Sequence, residues 1–184
     1  MNRLTVACLI ALWHLWPGAA AAQPASAYAG QETRDIKALS PEEVSTYLSG
    51  KGMGLAKAAE LNGYPGPAHV LELASQLALS PEQRTRTEAL FAAMESKAST
   101  LGRALVEAER KLDRLFATKS VSFELLAGAL SEIGALQAKV RGAHLEAHVA
   151  QAQLLTPVQT ARYAELRGYS GSSDHSGHGG AHKH

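Results

Sequence analysis

Three times the chain writes the same helix start: Leu39-Ser40-Pro41-Glu42-Glu43, Leu79-Ser80-Pro81-Glu82-Gln83 and Leu155-Thr156-Pro157-Val158-Gln159. Each copy dictates its backbone by ordinary chemistry. Ser or Thr is the N-cap, and Pro takes the first helical position, where its missing N–H is harmless. Glu or Gln at the third helical position can reach back and complete a capping box. A leading Leu can form a hydrophobic staple only at the first copy, where Val44 is the partner. At the other two copies that position holds Arg84 or Thr160, so Leu79 and Leu155 must pack elsewhere.

The segments between these starts read as helices. Short ones are expected from Pro41 to Leu48, from Leu55 to Leu61 and from Ala68 to Ala78. Gly50, Gly52 and Gly54 break the first, and Asn62 to Pro67 forms a turn. A long helix is expected from Pro81 to Ala117, with Leu90, Met94, Ala98, Leu101, Leu105, Ala108, Leu112 and Leu115 forming one narrow stripe. Lys119 to Ser122 turns the chain into a second long helix, Phe123 to Gln153. Its stripe is Leu126, Leu130, Ile133, Gln137, Val140, His144 and His148. A final helix runs from Pro157 to Leu166. Aromatic residues make up only 5% and β-branched runs are scarce, so the fold class is all-α. Two long helices joined by a tight turn must be antiparallel neighbours. Such a hairpin cannot bury both stripes alone, so short flanking helices or a second copy must cover the rest. A homodimer is the expected assembly.

The N-terminus has the three parts of a secretion signal. Arg3 is the positive end, Leu4 to Trp16 is apolar, and Ala20-Ala21-Ala22 and Ala25-Ser26-Ala27 fit the cleavage rule. Residues 1–22 are expected to be removed, with cleavage after Ala27 as the alternative. The apolar run is too short to span a bilayer, which takes about 20 residues. Cys8, the single cysteine, and both tryptophans lie in this segment. Residues 23–40 then read as a linker, 41–167 as the helical domain, and 168–184 as a disordered His-rich tail. Lys and Arg total 18 against 17 for Asp and Glu, which gives no electrostatic reason to expect nucleic acid.

Two Leu-Ser/Thr-x-x-Gln motifs around a long helical pair, behind a signal peptide, resemble the Spy/CpxP family of periplasmic chaperones and heavy-metal sensors. Glu60 to Pro67 and Tyr163 to Tyr169 look like its metal-sensor branch. The resemblance spans Leu39 to Tyr169. It implies a periplasmic, non-enzymatic protein, typically a dimer of bent hairpins. Such proteins bind unfolded polypeptide clients, or bind zinc, nickel, cobalt or copper and signal to a membrane sensor protein. The best-known sensors carry a transmembrane anchor, whereas this chain is expected to be cleaved free.

The residues themselves carry one sharp chemical feature, His144-Leu145-Glu146-Ala147-His148. The i,i+4 spacing sets both imidazoles on one helical face, close enough to share a metal. The alternative is a pair of interior histidines hydrogen-bonded to backbone or carboxylate. Antiparallel pairing brings Met94 near His144, and a thioether beside imidazoles suits copper, nickel or cobalt. His69 is a candidate third ligand from a neighbouring segment. His175, His178, His182 and His184 form a looser metal-capturing tract. Gly50-Lys51-Gly52-Met53-Gly54 lacks phosphate-loop spacing and follows a helix, so it reads as a hinge. No Ser/His/Asp or Cys/His set stands out, so no catalysis and no organic cofactor are expected. Metal sensing or tolerance is the first expectation, and an ATP-independent chaperone or envelope-stress adaptor the alternative.

Overall fold

A computed structural model describes residues 26–169. These residues are helical, with no strand among them. The helices are α1 (Pro41–Leu48), α2 (Lys57–Glu60), α3 (Pro67–Glu72), α4 (Pro81–Ala117), α5 (Phe123–Leu154) and α6 (Pro157–Leu166). The expected signal segment and the tail histidines His175, His178, His182 and His184 lie outside the described residues. Among the described residues, 26–32 belong to a unit apart from the rest, with turns closed by Ala29 N–H to the Ser26 carbonyl and Gln31 N–H to the Tyr28 carbonyl.

All three repeated starts form full capping boxes, at Ser40/Glu43, Ser80/Gln83 and Thr156/Gln159. Ser122 caps α5 by accepting from Leu125 N–H. Two short helices are shorter than expected. The second holds only Lys57–Glu60. The third starts one residue early, because Gly66-Pro67 supplies its start, and ends at Glu72. Beyond Glu72 the chain turns instead, reaching a left-handed Ala78 (φ 48°), which brings Leu77 and Leu79 onto one apolar cluster. Part of the expected 23–40 linker is also packed. Ile36 is fully buried, Lys37 binds Asp113 through backbone N–H (3.0 Å) and ammonium (3.3 Å), and Asp35 binds Arg110.

The long helices α4 and α5 run in opposite directions. Lys111 meets Glu132 at 3.9 Å, Lys97 meets Glu146 at 2.5 Å, and Gln83 reaches the Leu154 carbonyl at 2.8 Å. Their buried faces differ from the expected stripes, taking in Val106 and Glu109 on α4 and Ala143, Ala147 and Gln151 on α5 as well. Gln137 and Leu130 are exposed, while Leu136 packs against the core. A helix turning at 3.6 residues drifts off a strict seven-residue repeat, which moves the contact from Gln137 to its neighbour. Helix α1 lies directly on α4 at Gly102, where a Cβ would stand 2.1 Å from the Tyr47 carbonyl oxygen.

The core comes in two apolar clusters. One gathers Leu105, Ala108, Ile133 and Val140, with Tyr47, Leu55 and Leu101 against them. The other gathers Val70, Leu77, Leu155 and Tyr163, with Leu79, Leu166 and Tyr169. Leu79 and Leu155, left without staple partners, thus share one cluster. On α5 the stretch between the clusters buries His144, His148 and Gln151. No described helix is long and apolar enough to cross a membrane.

Candidate metal centre

The buried polar stretch of α5 faces a cavity of about 780 Å³. No pocket was legible in the sequence, yet four expected ligands line this one: His144 and His148 from α5, Met94 from α4 and His69 from α3. The glycine loop after α1 forms another part of the wall. Gly50 has φ 69°, and a Cβ there would stand 2.6 Å from the Glu95 carbonyl oxygen. The loop is therefore pressed against α4, which a free hinge would not be. Gly52 comes next to the His144 ring, its missing Cβ 3.5 Å from Nδ1.

His144 is 3% exposed, and its Nε2 is buried with no hydrogen-bond partner. A buried polar nitrogen left unmatched costs about 1–3 kcal/mol. Burial, and then the neighbouring His148, push its pKa below the usual histidine value. The ring is held neutral, which is the form a metal requires.

His148 answers the plainer alternative in part. Its Nδ1 lies 2.8 Å from the Tyr64 carbonyl oxygen and 3.6 Å from Glu60 Oε2. Facing a carbonyl, Nδ1 is the nitrogen that carries a proton, so in the neutral ring the lone pair sits on Nε2. Gly66 packs closely against this ring, since a Cβ there would stand 2.9 Å from Nε2.

Glu60 is the residue that sequence reasoning missed. Its side chain is 11% exposed. Oε1 accepts from the Tyr163 hydroxyl at 2.5 Å and the Tyr169 hydroxyl at 3.0 Å, and Oε2 accepts from Gly66 N–H at 3.2 Å. His69 Nδ1 stands 3.7 Å from Oε1, and Arg167 Nε stands 3.6 Å from it. Burial, followed by the Glu60 hydrogen bond, raises the Tyr163 pKa far above its ordinary value. Glu60 thus joins the α2–α3 segment to α6. The one available signal was that Glu60 and Tyr163/Tyr169 belong to the two segments singled out for their resemblance.

The donors converge without forming a ready-made cage. Among the described residues, no three His, Cys, Asp or Glu side chains stand together as a metal-ligand group. His69 faces Glu60 and Tyr163 instead of joining the α5 pair as a closed set. What the cavity offers is two imidazoles on adjacent turns, with a thioether and carboxylates on its other walls. That donor set suits an ion of borderline softness. No family model, no curated protein and no solved structure matches the chain.

Proposed function

We propose that this is a periplasmic, non-enzymatic metal-responsive protein of Spy/CpxP-like type, a helical hairpin acting as a homodimer. It binds zinc, copper, nickel or cobalt between His144 and His148, with Met94 as the soft donor, and serves metal sensing or tolerance. The observation that carries this reading is the buried, unpartnered Nε2 of His144, one turn from His148 and on the same cavity as Met94. A bound ion would satisfy that nitrogen. It would also take the Nε2 lone pair of a neutral His148 whose Nδ1 donates to the Tyr64 carbonyl. Calorimetric titration of the purified chain with Cu²⁺ or Ni²⁺ tests it. About one ion per chain is expected at a site lost in His144→Ala/His148→Ala, and undiminished binding in that variant refutes the reading.

A second reading, an ATP-independent chaperone, draws on a different observation. The turn end of the α4–α5 pair exposes Phe116, Phe123, Leu125 and Leu130, with Phe123 at 94%. Apolar surface of this kind can hold unfolded segments. Metal-free protein should then suppress a client's aggregation at stoichiometric ratio, and no suppression there excludes this role.

A further inference from the structure

After Met1 the sequence holds two methionines, Met53 and Met94, and both line the cavity that holds His144 and His148. Met94 comes from α4. Met53 comes from the glycine loop, where Leu55 N–H donates to the Gly52 carbonyl at 2.6 Å and Gly52 packs on the His144 ring. Met53 thus follows directly on the residue that touches His144. Its backbone is left-handed, φ 44°, a conformation where Gly or Asn is the commoner choice. We propose that Met53 is a further ligand, and that with Met94, His144 and His148 it makes the cavity a site for a soft monovalent ion, Cu(I). The proposal rests on the metal-binding reading above and names its ion.

Donor chemistry selects the ion. His144 is 3% exposed, and its buried Nε2 lacks a partner on this wall. Among the described residues, no three His, Cys, Asp or Glu side chains form a ligand group. The buried carboxylate of Glu60 is engaged by Tyr163, Tyr169 and Gly66. Thioethers are the neutral donors that the cavity adds to its imidazoles. Such soft sulfur selects Cu(I), whereas zinc and nickel favour nitrogen, thiolate or oxygen ligands. Charge points the same way. Two neutral imidazoles and two thioethers bring no negative charge, and burying a doubly charged ion among neutral groups costs far more than burying a singly charged one. Met53 is 42% exposed and its side chain turns about three bonds, so its sulfur is free to adjust to an entering ion. The step is ligand exchange on Cu(I), with no change of oxidation state.

Anaerobic competition of the full-length chain against a chromophoric Cu(I) chelator tests this, with calorimetry for Ni²⁺ alongside. Met53→Leu should weaken Cu(I) binding at least about tenfold, the scale on which losing even a supporting group weakens a metal site, and Ni²⁺ binding by a much smaller factor. Met53→Asn suits the left-handed backbone and also removes the sulfur, so it should show the same Cu(I) loss. Circular dichroism checks that both variants are folded. With Ag⁺ as a redox-inert probe, the methyl NMR signals of Met53 and Met94 should both shift on the first equivalent. Wild-type Cu(I) affinity in Met53→Leu overturns the proposal, as do equal losses for Cu(I) and Ni²⁺ or a Met53 methyl signal that Ag⁺ leaves in place. The metal-centre reading survives each of those results. It fails instead if His144→Ala/His148→Ala binds both ions as the wild type does.

Discussion

Gln83 and Gln159 face each other as a reciprocal amide pair. Gln83 Nε2 donates to Gln159 Oε1 at 2.9 Å, and Gln159 Nε2 donates to Gln83 Oε1 at 3.0 Å. Each oxygen also accepts from its own N-cap, Ser80 N–H or Thr156 N–H. Each nitrogen also reaches a backbone carbonyl beside the other motif, Leu154 for Gln83 and Leu77 for Gln159. Two helix starts far apart in sequence are thus one structural unit. Gln83→Ala breaks a cap and strands the opposing amide, so it should cost about 1–3 kcal/mol. Gln83→Ala/Gln159→Ala should cost clearly less than the sum of the singles, by roughly 0.5–3 kcal/mol. Urea unfolding of the four chains measures this, and strict additivity would refute the pairing.

Glycines on the long helices divide by surroundings. Gly102 supports the Tyr47 carbonyl, and a Cβ would meet it at 2.1 Å. Gly102→Ala should therefore push α1 off α4, losing at least about 1–3 kcal/mol. Gly128 has open space around it, so Gly128→Ala should gain roughly 0.5–1 kcal/mol from helix propensity. Paired melting curves decide, and equal effects would contradict the close approach.

Glu109 is buried on α4, and burial raises its pKa. The unfolded chain gives up this proton near the ordinary value of 4.5, before the folded chain does. Its contribution is thus full below that pH and is lost as pH rises through the folded-state value. Glu109→Gln should then be more stable than the wild type at pH 7, with the gain gone below pH 4.5. Chemical denaturation at the two pH values is the check.

His144 gives the opposite slope. Its folded-state pKa lies below the ordinary 6.5, chiefly through burial. As pH falls past 6.5 the unfolded chain takes up the proton first, so the stability held above that value drains away on acidification. His144→Gln should flatten this acid limb. An unchanged limb would mean that the ring is not held neutral.

Helix starts were legible because Ser-Pro and Thr-Pro fix the backbone locally, and Pro41, Pro81 and Pro157 all begin helices. The His144/His148 face was legible because helical spacing alone aligns the pair. The amide pair was hidden, since each glutamine already had a sufficient local role in its own cap. Glu60 was hidden for another reason: its hydroxyl partners Tyr163 and Tyr169 lie over a hundred residues away, and no periodicity relates them. The shortened α3 escaped because its apolar residues fit a helix as well as the turns that carry Leu77 and Leu79 into their cluster.

The division of the core into two apolar clusters has a thermodynamic consequence. Each cluster can melt as a cooperative block, and the histidine stretch between them is the seam where the blocks part first. Hydrogen exchange around His144, in the C-terminal half of α5, should then show an opening step separate from the fraying of the helix ends. Whatever fills the cavity would weld the blocks, turning two loosely linked transitions into one.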